Sequence, residues 1–220
     1  MIGSVRLPTI LHRRLASQLG NPRGAAGRLV ARILNKGNAG LISSAIAAAG
    51  PRPGDSAADI GFGGGIGLPL LLDVVGADGR VYGVDRSEPM VRRAERANRR
   101  AVTAGRLDLR TGSMTALPLA DASLDAVIST NTVYFIDDVA IAFAEFARVL
   151  RPGGRLVLGV ADPEVMADIP FTKYGFRIRP MAELTDALAT AGLSVTDHRR
   201  LDESARSRHL LVAVRPATNP

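Results

Sequence analysis

Residues 57–67 read Ala57-Ala58-Asp59-Ile60-Gly61-Phe62-Gly63-Gly64-Gly65-Ile66-Gly67, and Val81-Tyr82-Gly83-Val84-Asp85 follows about one βαβ unit later. The apolar approach reads as a buried parallel strand, and the glycines let the backbone turn tightly and pass close to a ligand. Leu68 to Val75 continues with helical character. Asp85 closes a second apolar strand at the carboxyl edge of the sheet, where nucleotide ribose hydroxyls are read. A nicotinamide or flavin site would carry Gly-x-Gly-x-x-Gly or Ala. Counting from Gly61 places Ile66 at the third glycine, and counting from Gly63 places Leu68 there, so neither frame fits. The pattern present is Asp-x-Gly-x-Gly-x-Gly, on Asp59, Gly61, Gly63 and Gly65.

Outward from this loop, strands and helices alternate, which implies a parallel sheet covered on both faces. Strands are expected near 56–60, 80–85, 106–111, 125–130 and 155–160, and helices near 66–76, 88–104 and 138–150. Pro180 and Met181 open a further helix to Ala191, with Gly192 as its C-terminal cap. Leu193 to Arg199 and His209 to Val214 are two more strands joined by a short polar run. So short a link makes them antiparallel, because a parallel crossover needs a dozen or more residues. Seven strands result, mostly parallel, with an antiparallel hairpin at the C-terminal end.

The 220 residues suffice for one α/β core with an appendage. There is no Cys, which excludes disulfides and thiolate-bound zinc, and no metal site is expected. No apolar run reaches the roughly 18–20 residues of a membrane span, and Arg6, His12, Arg13 and Arg14 interrupt the N-terminus, so a cytoplasmic location is expected. Only Lys36 and Lys173 are lysine among 28 basic residues. Residues 1–54 hold seven arginines and Lys36 with no Asp or Glu, a charge of +8, whereas residues 55–220 hold 20 basic against 21 acidic residues. Pro51-Arg52-Pro53-Gly54 therefore marks an expected boundary between a basic helical appendage, 1–54, and a nearly neutral domain, 55–220. The appendage carries three apolar stripes, on Leu7 to Leu19, on Leu29 to Leu34 and on Leu41 to Ala49, each too short to stand alone in water.

Two further blocks complete a pattern. Gly112-Ser113-Met114 through Leu124-Asp125 joins the third and fourth strands, and Arg148-Val149-Leu150-Arg151-Pro152-Gly153-Gly154-Arg155 leads into the fifth. With the glycine loop and Asp85, these resemble the class I S-adenosylmethionine-dependent methyltransferases in order and spacing across residues 55–160. Within that family the likeness is to the small-molecule subgroup, including the ubiquinone- and menaquinone-biosynthesis type. The resemblance implies a Rossmann-like doubly wound sheet with N-terminal helices and S-adenosylmethionine as cofactor. It implies Gly61, Gly63 and Gly65 along the cofactor, Asp85 on the ribose and Arg86 over the adenosine. Ser113 and Met114 are implied at the adenine edge, and Asn131 at the methionine end. Many relatives have an acid where Ser113 stands. Asp59 is expected to order the glycine loop and, through water, the cofactor ammonium.

Methyl transfer from a sulfonium needs the acceptor atom in line with the S–CH₃ bond, so positioning and desolvation can supply most of the rate. An oxygen or carbon acceptor can also need a general base, for which Tyr134 and Asp162 are the candidates, followed by Tyr174 and His12. His198 and His209 read as structural, and Asp137 and Asp138 as a helix N-terminus. The run Asn131-Thr132-Val133-Tyr134 lacks the paired prolines of base-modifying relatives, and the chain has no Trp, which argues against a specific nucleic-acid substrate. A small acceptor with an apolar body is expected, covered by residues 1–54 together with Asp162 to Arg179. The basic segment is compatible with contact to an anionic substrate or membrane surface, and a homodimer stays open. The rival reading is a non-catalytic S-adenosylmethionine-sensing module whose basic segment binds membrane or nucleic acid.

Overall fold

The computed structural model describes Arg13, residues 24–201 and residues 207–217, with side-chain surroundings for Arg13 and from residue 37 onward. The stripe on Leu7 to Leu19, His12 and the link 202–206 lie outside the described residues, as do the side chains of the stripe on Leu29 to Leu34. Five parallel strands form first: β1 (Ser56–Ile60), β2 (Arg80–Asp85), β3 (Leu107–Thr111), β4 (Leu124–Thr130) and β5 (Leu150–Ala161). A hairpin of β6 (Ser194–Arg200) and β7 (Arg208–Val214) completes a sheet of order β3-β2-β1-β4-β5-β7-β6. β7 alone runs against its neighbours, paired with β5 from Arg155↔Val214 to Ala161↔Arg208 and with β6 on its other side. The burial patterns follow from these positions: β7, between two strands, is buried along its centre, while edge strand β6 is mostly exposed.

Alternation along the strands feeds two cores, one on each face. Ile60, Val84, Val127, Leu156 and Leu158 point to one side, where they meet Phe143 and Phe146 of α5 (Val139–Val149) and Leu184 and Leu188 of α7 (Met181–Thr190). Ala57, Val81, Ile128 and Val157 point to the other, against α1 (Gly24–Ala49), α2 (Gly67–Val75) and α3 (Glu88–Ala97). α4 (Arg99–Thr103) follows α3 closely, and α6 (Pro163–Ala167) follows β5. The single helix expected over 88–104 is interrupted at Asn98, whose backbone leaves helical geometry while its side-chain amide donates to Ala94 O at 3.0 Å. Such a side chain offers the backbone an alternative partner, which is why Asn favours helix ends.

Where the sequence suggests two separate stripes on Leu29 to Leu34 and Leu41 to Ala49, one helix runs unbroken through Gly37 and Gly40. Each interior glycine costs about 1 kcal/mol of helix stability. Burial of Leu41, Ile42, Ala45, Ile46, Ala48 and Ala49 on the sheet offsets that cost. Leu41 lies over Gly159 of β5, where an added Cβ would come within 3.1 Å of it. Residues 41–49, which carry no charge and precede the expected boundary at 54, are thus a layer of the sheet's own core.

Leu41 is 1% exposed, so Leu41→Ala should cost about 2–4 kcal/mol. Thermal unfolding should shift down by roughly 5–15 °C for a chain of this size. A shift below about 1 °C would mean that this end of α1 is separable from the core.

Candidate active site

The site lies at the carboxyl ends of β1, β2 and β4, where strand order reverses on either side of β1. A cavity of about 450 Å³ opens there, within the ordinary range for small-ligand pockets. Its floor is Ile60, Gly61, Gly63, Gly64, Val84 and Asp85; its sides are Gly112 to Thr115 and Asn131 to Thr132; and Phe135 to Asp138 with Ile141 close it. Gly61 has φ of +75°, and a Cβ on it would overlap Thr132 Cγ2. Gly63 also has positive φ, +50°, but an added Cβ would meet nothing closer than Gly61 O at 4.0 Å. The glycine at 61 is therefore demanded by the fold, whereas the one at 63 keeps a cavity wall clear.

Asp85 is 7% exposed and occupied on both oxygens: Oδ2 accepts from Gly63 N and Oδ1 from Ser87 N, each at 2.8 Å. Burial raises its pKa above the usual carboxylate range, opposed by those two hydrogen bonds and by the nearby Arg86 charge. Each oxygen retains a second lone-pair site for a ligand hydroxyl. Asp59, 2% exposed, faces the first turn of α2, and a Cβ on Gly67 would overlap its Oδ2. Burial first, and the Asp85 charge second, push the Asp59 carboxyl up to about 7.

Of the residues expected along a cofactor, Gly61, Gly63, Asp85, Arg86, Ser113, Met114 and Asn131 all line the cavity. Asp59 and Gly65 do not; Gly65 turns the chain with φ of +77°, its Cβ direction facing Leu68, Ala94 and Phe62. Ser113 Oγ is engaged locally, sharing a hydrogen bond with Thr115 Oγ1 at 2.7 Å. Asn131 sits at φ of +56° and reaches back through Nδ2 to Asn38 Oδ1 of α1 at 3.1 Å. Thr132, Phe135, Ile136 and Ile141 also line the cavity without having been singled out from sequence; the apolar run after β4 was their only signal. Asp138 caps α5, accepting from Ala140 N at 2.9 Å, and with Asp137 stands on the cavity rim.

Neither general-base candidate, Tyr134 or Asp162, lines the cavity. Tyr134 is buried, its hydroxyl accepts from Ala161 N of β5, and burial pushes its pKa far up, so the phenol stays protonated and away from the cavity. Asp162 is the N-cap of α6, accepting from Glu164 N at 2.9 Å, and its Oδ2 meets His209 Nε2 at 3.2 Å. Burial raises its pKa, but hydrogen bonds from His209, Glu164 N and Val165 N outweigh that and hold it low. His209 in turn meets His198 Nε2 through Nδ1 at 2.9 Å, a structural chain along the hairpin. Tyr174 stands under the Arg13 guanidinium, 5.5 Å from its ring centre, and does not line the cavity either.

A family model described as a methyltransferase domain matches residues 58–158. A probable S-adenosylmethionine-dependent methyltransferase of Mycolicibacterium smegmatis is 36% identical over 142 residues, 63% of this chain and 52% of that protein. Residues 58–158 are thus similar to S-adenosylmethionine-dependent methyltransferase domains. Nocamycin O-methyltransferase of Saccharothrix syringae is 37% identical over 151 residues, 68% of the chain and 51% of the relative. The chain of a putative methyltransferase, solved in complex with the Haloferax volcanii Trm112 methyltransferase activator, superimposes with TM-score 0.74 at 25% identity, covering 97% of this chain and all of that one. The chain spans about half of the length of the two curated relatives. Among the described residues no helix is long and apolar enough to cross a membrane, and no cluster of metal-ligating side chains occurs.

The cavity fits S-adenosylmethionine on its own chemistry. Gly63 leaves the floor open, Asp85 offers lone pairs to vicinal hydroxyls, and Ile60, Val84, Met114 and Ile136 give an apolar slot. Two nearby buried carboxylates suit a ligand that carries cationic groups.

The raised pKa of Asp59 couples folding to pH. Between pH near 4 and near 7 the folded chain binds more protons there than the unfolded chain, so stability falls as pH rises through that window. Asp59→Asn should match wild type near pH 4 and exceed it at pH 8, by up to about 4 kcal/mol for a shift of that size. Thermal unfolding of the cofactor-free protein across pH reads this gap, and a gap independent of pH would contradict the assignment.

Proposed function

We propose that the chain transfers a methyl group from S-adenosylmethionine to a small acceptor with an apolar body. The observation that carries this is the cavity itself: Asp85 and the glycine loop on one side, and Phe135, Ile136 and Ile141 on the other. When bound, the cofactor supplies an electrophilic methyl group on a sulfonium. The protein's own part is to orient and dehydrate: Asp85 holds the ribose, Arg86 covers the adenosine, Ser113 and Met114 border the adenine, and Asn131 with Asp59 serves the amino-acid end. With Tyr134 and Asp162 committed elsewhere, alignment and exclusion of water carry the rate.

The acceptor side is apolar and aromatic. Phe135 lines the cavity, its ring centre 4.6 Å from that of Phe176, which in turn lies 6.0 Å from Tyr134 and 5.9 Å from Phe171. The naming of one relative for O-methylation of nocamycin supports a small-molecule acceptor. The basic segment up to residue 40 and the stretch 162–179 form the cover in this reading. Two contacts support it: Arg13 over Tyr174, and Asn38 against Asn131. The division between cover and catalytic domain then falls within α1, before the buried residues 41–49, rather than at residue 54.

Asp85→Ala should weaken S-adenosylmethionine binding by about 1.5–3 kcal/mol, the loss of a charge-assisted hydrogen bond. Gly63→Val, which fills the open floor and strains a positive φ, should abolish binding. Calorimetry reads both, with circular dichroism confirming the fold. Wild-type affinity in both variants would remove this cavity as the cofactor site.

A further inference from the structure

We infer that Arg179 is a positioning residue for the cofactor cavity: its buried guanidinium holds the stretch after β4 in the shape that makes one cavity wall, an inference that rests on the cavity's proposed role. That stretch supplies Thr132, Phe135, Ile136, Asp137 and Asp138 to the lining, more than any other single stretch of the chain. Its only regular structure is a single 3₁₀ turn, Val133–Phe135, preceded by Asn131 in a left-handed conformation. Backbone of this kind has few carbonyls satisfied by its own ladder, and buried carbonyls need partners.

Arg179 supplies them. Nη1 donates to Val133 O at 2.9 Å, and Nη2 donates to Ile136 O at 2.7 Å and Asp137 O at 2.9 Å. Nε pairs with Glu183 Oε1 at 3.0 Å, and only 8% of the arginine side chain is exposed. The planar fork thus spans five residues of the wall from behind, since Arg179 does not itself line the cavity. A lysine ammonium is a compact point charge without the planar fork whose two nitrogens divide these carbonyls between them. Arg177 N adds a fourth bond of the same sense, to Tyr134 O at 2.8 Å. Phe176 of the same segment packs on Phe135, which faces the cavity. Immediately after Arg179 the chain enters α7, which Leu184 and Leu188 fix in the core. The wall is therefore anchored to a rigid helix more than forty residues later in the chain. A site held to within a fraction of an ångström needs such support, because small displacements of binding groups are costly.

The test compares wild type, Arg179→Lys and Glu183→Gln by calorimetric titration with S-adenosylmethionine and by backbone hydrogen exchange. Arg179→Lys should bind about tenfold more weakly or worse, with faster exchange confined to residues 133–138 and with β4 and β5 unchanged. Glu183→Gln, which leaves the three carbonyl bonds in place, should stay within about twofold of wild type. Wild-type affinity and exchange in Arg179→Lys would overturn the inference, as would weakened binding without faster exchange of the wall, or an equal loss in Glu183→Gln. If wild type itself binds no S-adenosylmethionine, the cavity's proposed role fails, while exchange in Arg179→Lys still decides whether the arginine holds the wall. Should Arg179→Lys not fold, wild-type exchange with and without S-adenosylmethionine decides. Protection should rise together at 133–138 and at Arg177, and a rise on the wall alone would overturn the coupling.

Discussion

The bond from Gly63 N to Asp85 Oδ2 joins the two loops on which the site depends. The glycine loop leaves β1, Asp85 ends β2, and the same carboxylate accepts from Ser87 N, the residue before α3. Neighbouring backbone bonds extend the tie: Gly61 N donates to Val84 O at 2.7 Å, and Gly112 N donates to Asp85 O at 3.1 Å. Three strand ends are thereby held around one acidic side chain. With the backbone donors engaged by one lone pair of each oxygen, one acceptor position on each remains for the hydroxyls of the proposed ligand. Positive φ at Gly61 and Gly63 lets the loop deliver its N–H groups inward while the cavity stays clear.

This arrangement is unfavourable for the cofactor-free fold. Asp59 and Asp85 are both buried and both raised in pKa, and the Asp85 charge adds to the cost of ionising Asp59. Buried carboxylates of like charge are ordinarily destabilising by kilocalories and persist where they serve binding. Against that stands a large apolar frame: Phe143, Phe146, Leu156 and Leu158 on one face, and Leu41, Leu68, Leu71 and Val75 on the other, all at most 1% exposed. Strained and charged backbone at the strand ends is tolerable because the strands themselves are fixed from both sides.

Much of the fold is legible in the sequence because strand and helix periods differ and glycine marks the turns. The bounds 56–60 and 80–85 agree to the residue, and the hairpin after Gly192 follows from the shortness of its link. The continuity of α1 was not legible: Gly37 and Gly40 argue locally for a break, and only burial of residues 41–49 on the sheet overrides them. The site divides in the same way. Gly61 and Asp85, placed by spacing, and Asn131, placed by the family resemblance, all line the cavity. Tyr134 and Asp162 also stand just beyond strand ends, but their side chains turn toward β5 and the hairpin rather than the cavity. Spacing along the chain does not report that direction. Arg179 carries no sequence signal either, because its partners are carbonyls on a stretch distant in the chain.

The account turns on whether the pocket at the ends of β1, β2 and β4 is where S-adenosylmethionine binds. A crystal structure of the full chain with S-adenosylhomocysteine is the most direct measurement. The ribose hydroxyls should lie within about 3 Å of the Asp85 carboxylate, hydrogen-bonding distance, with the adenine between Met114 and Ile136 and the Gly63 bond to Asp85 intact. Ligand density elsewhere on the molecule, or a ribose turned away from Asp85, would contradict it.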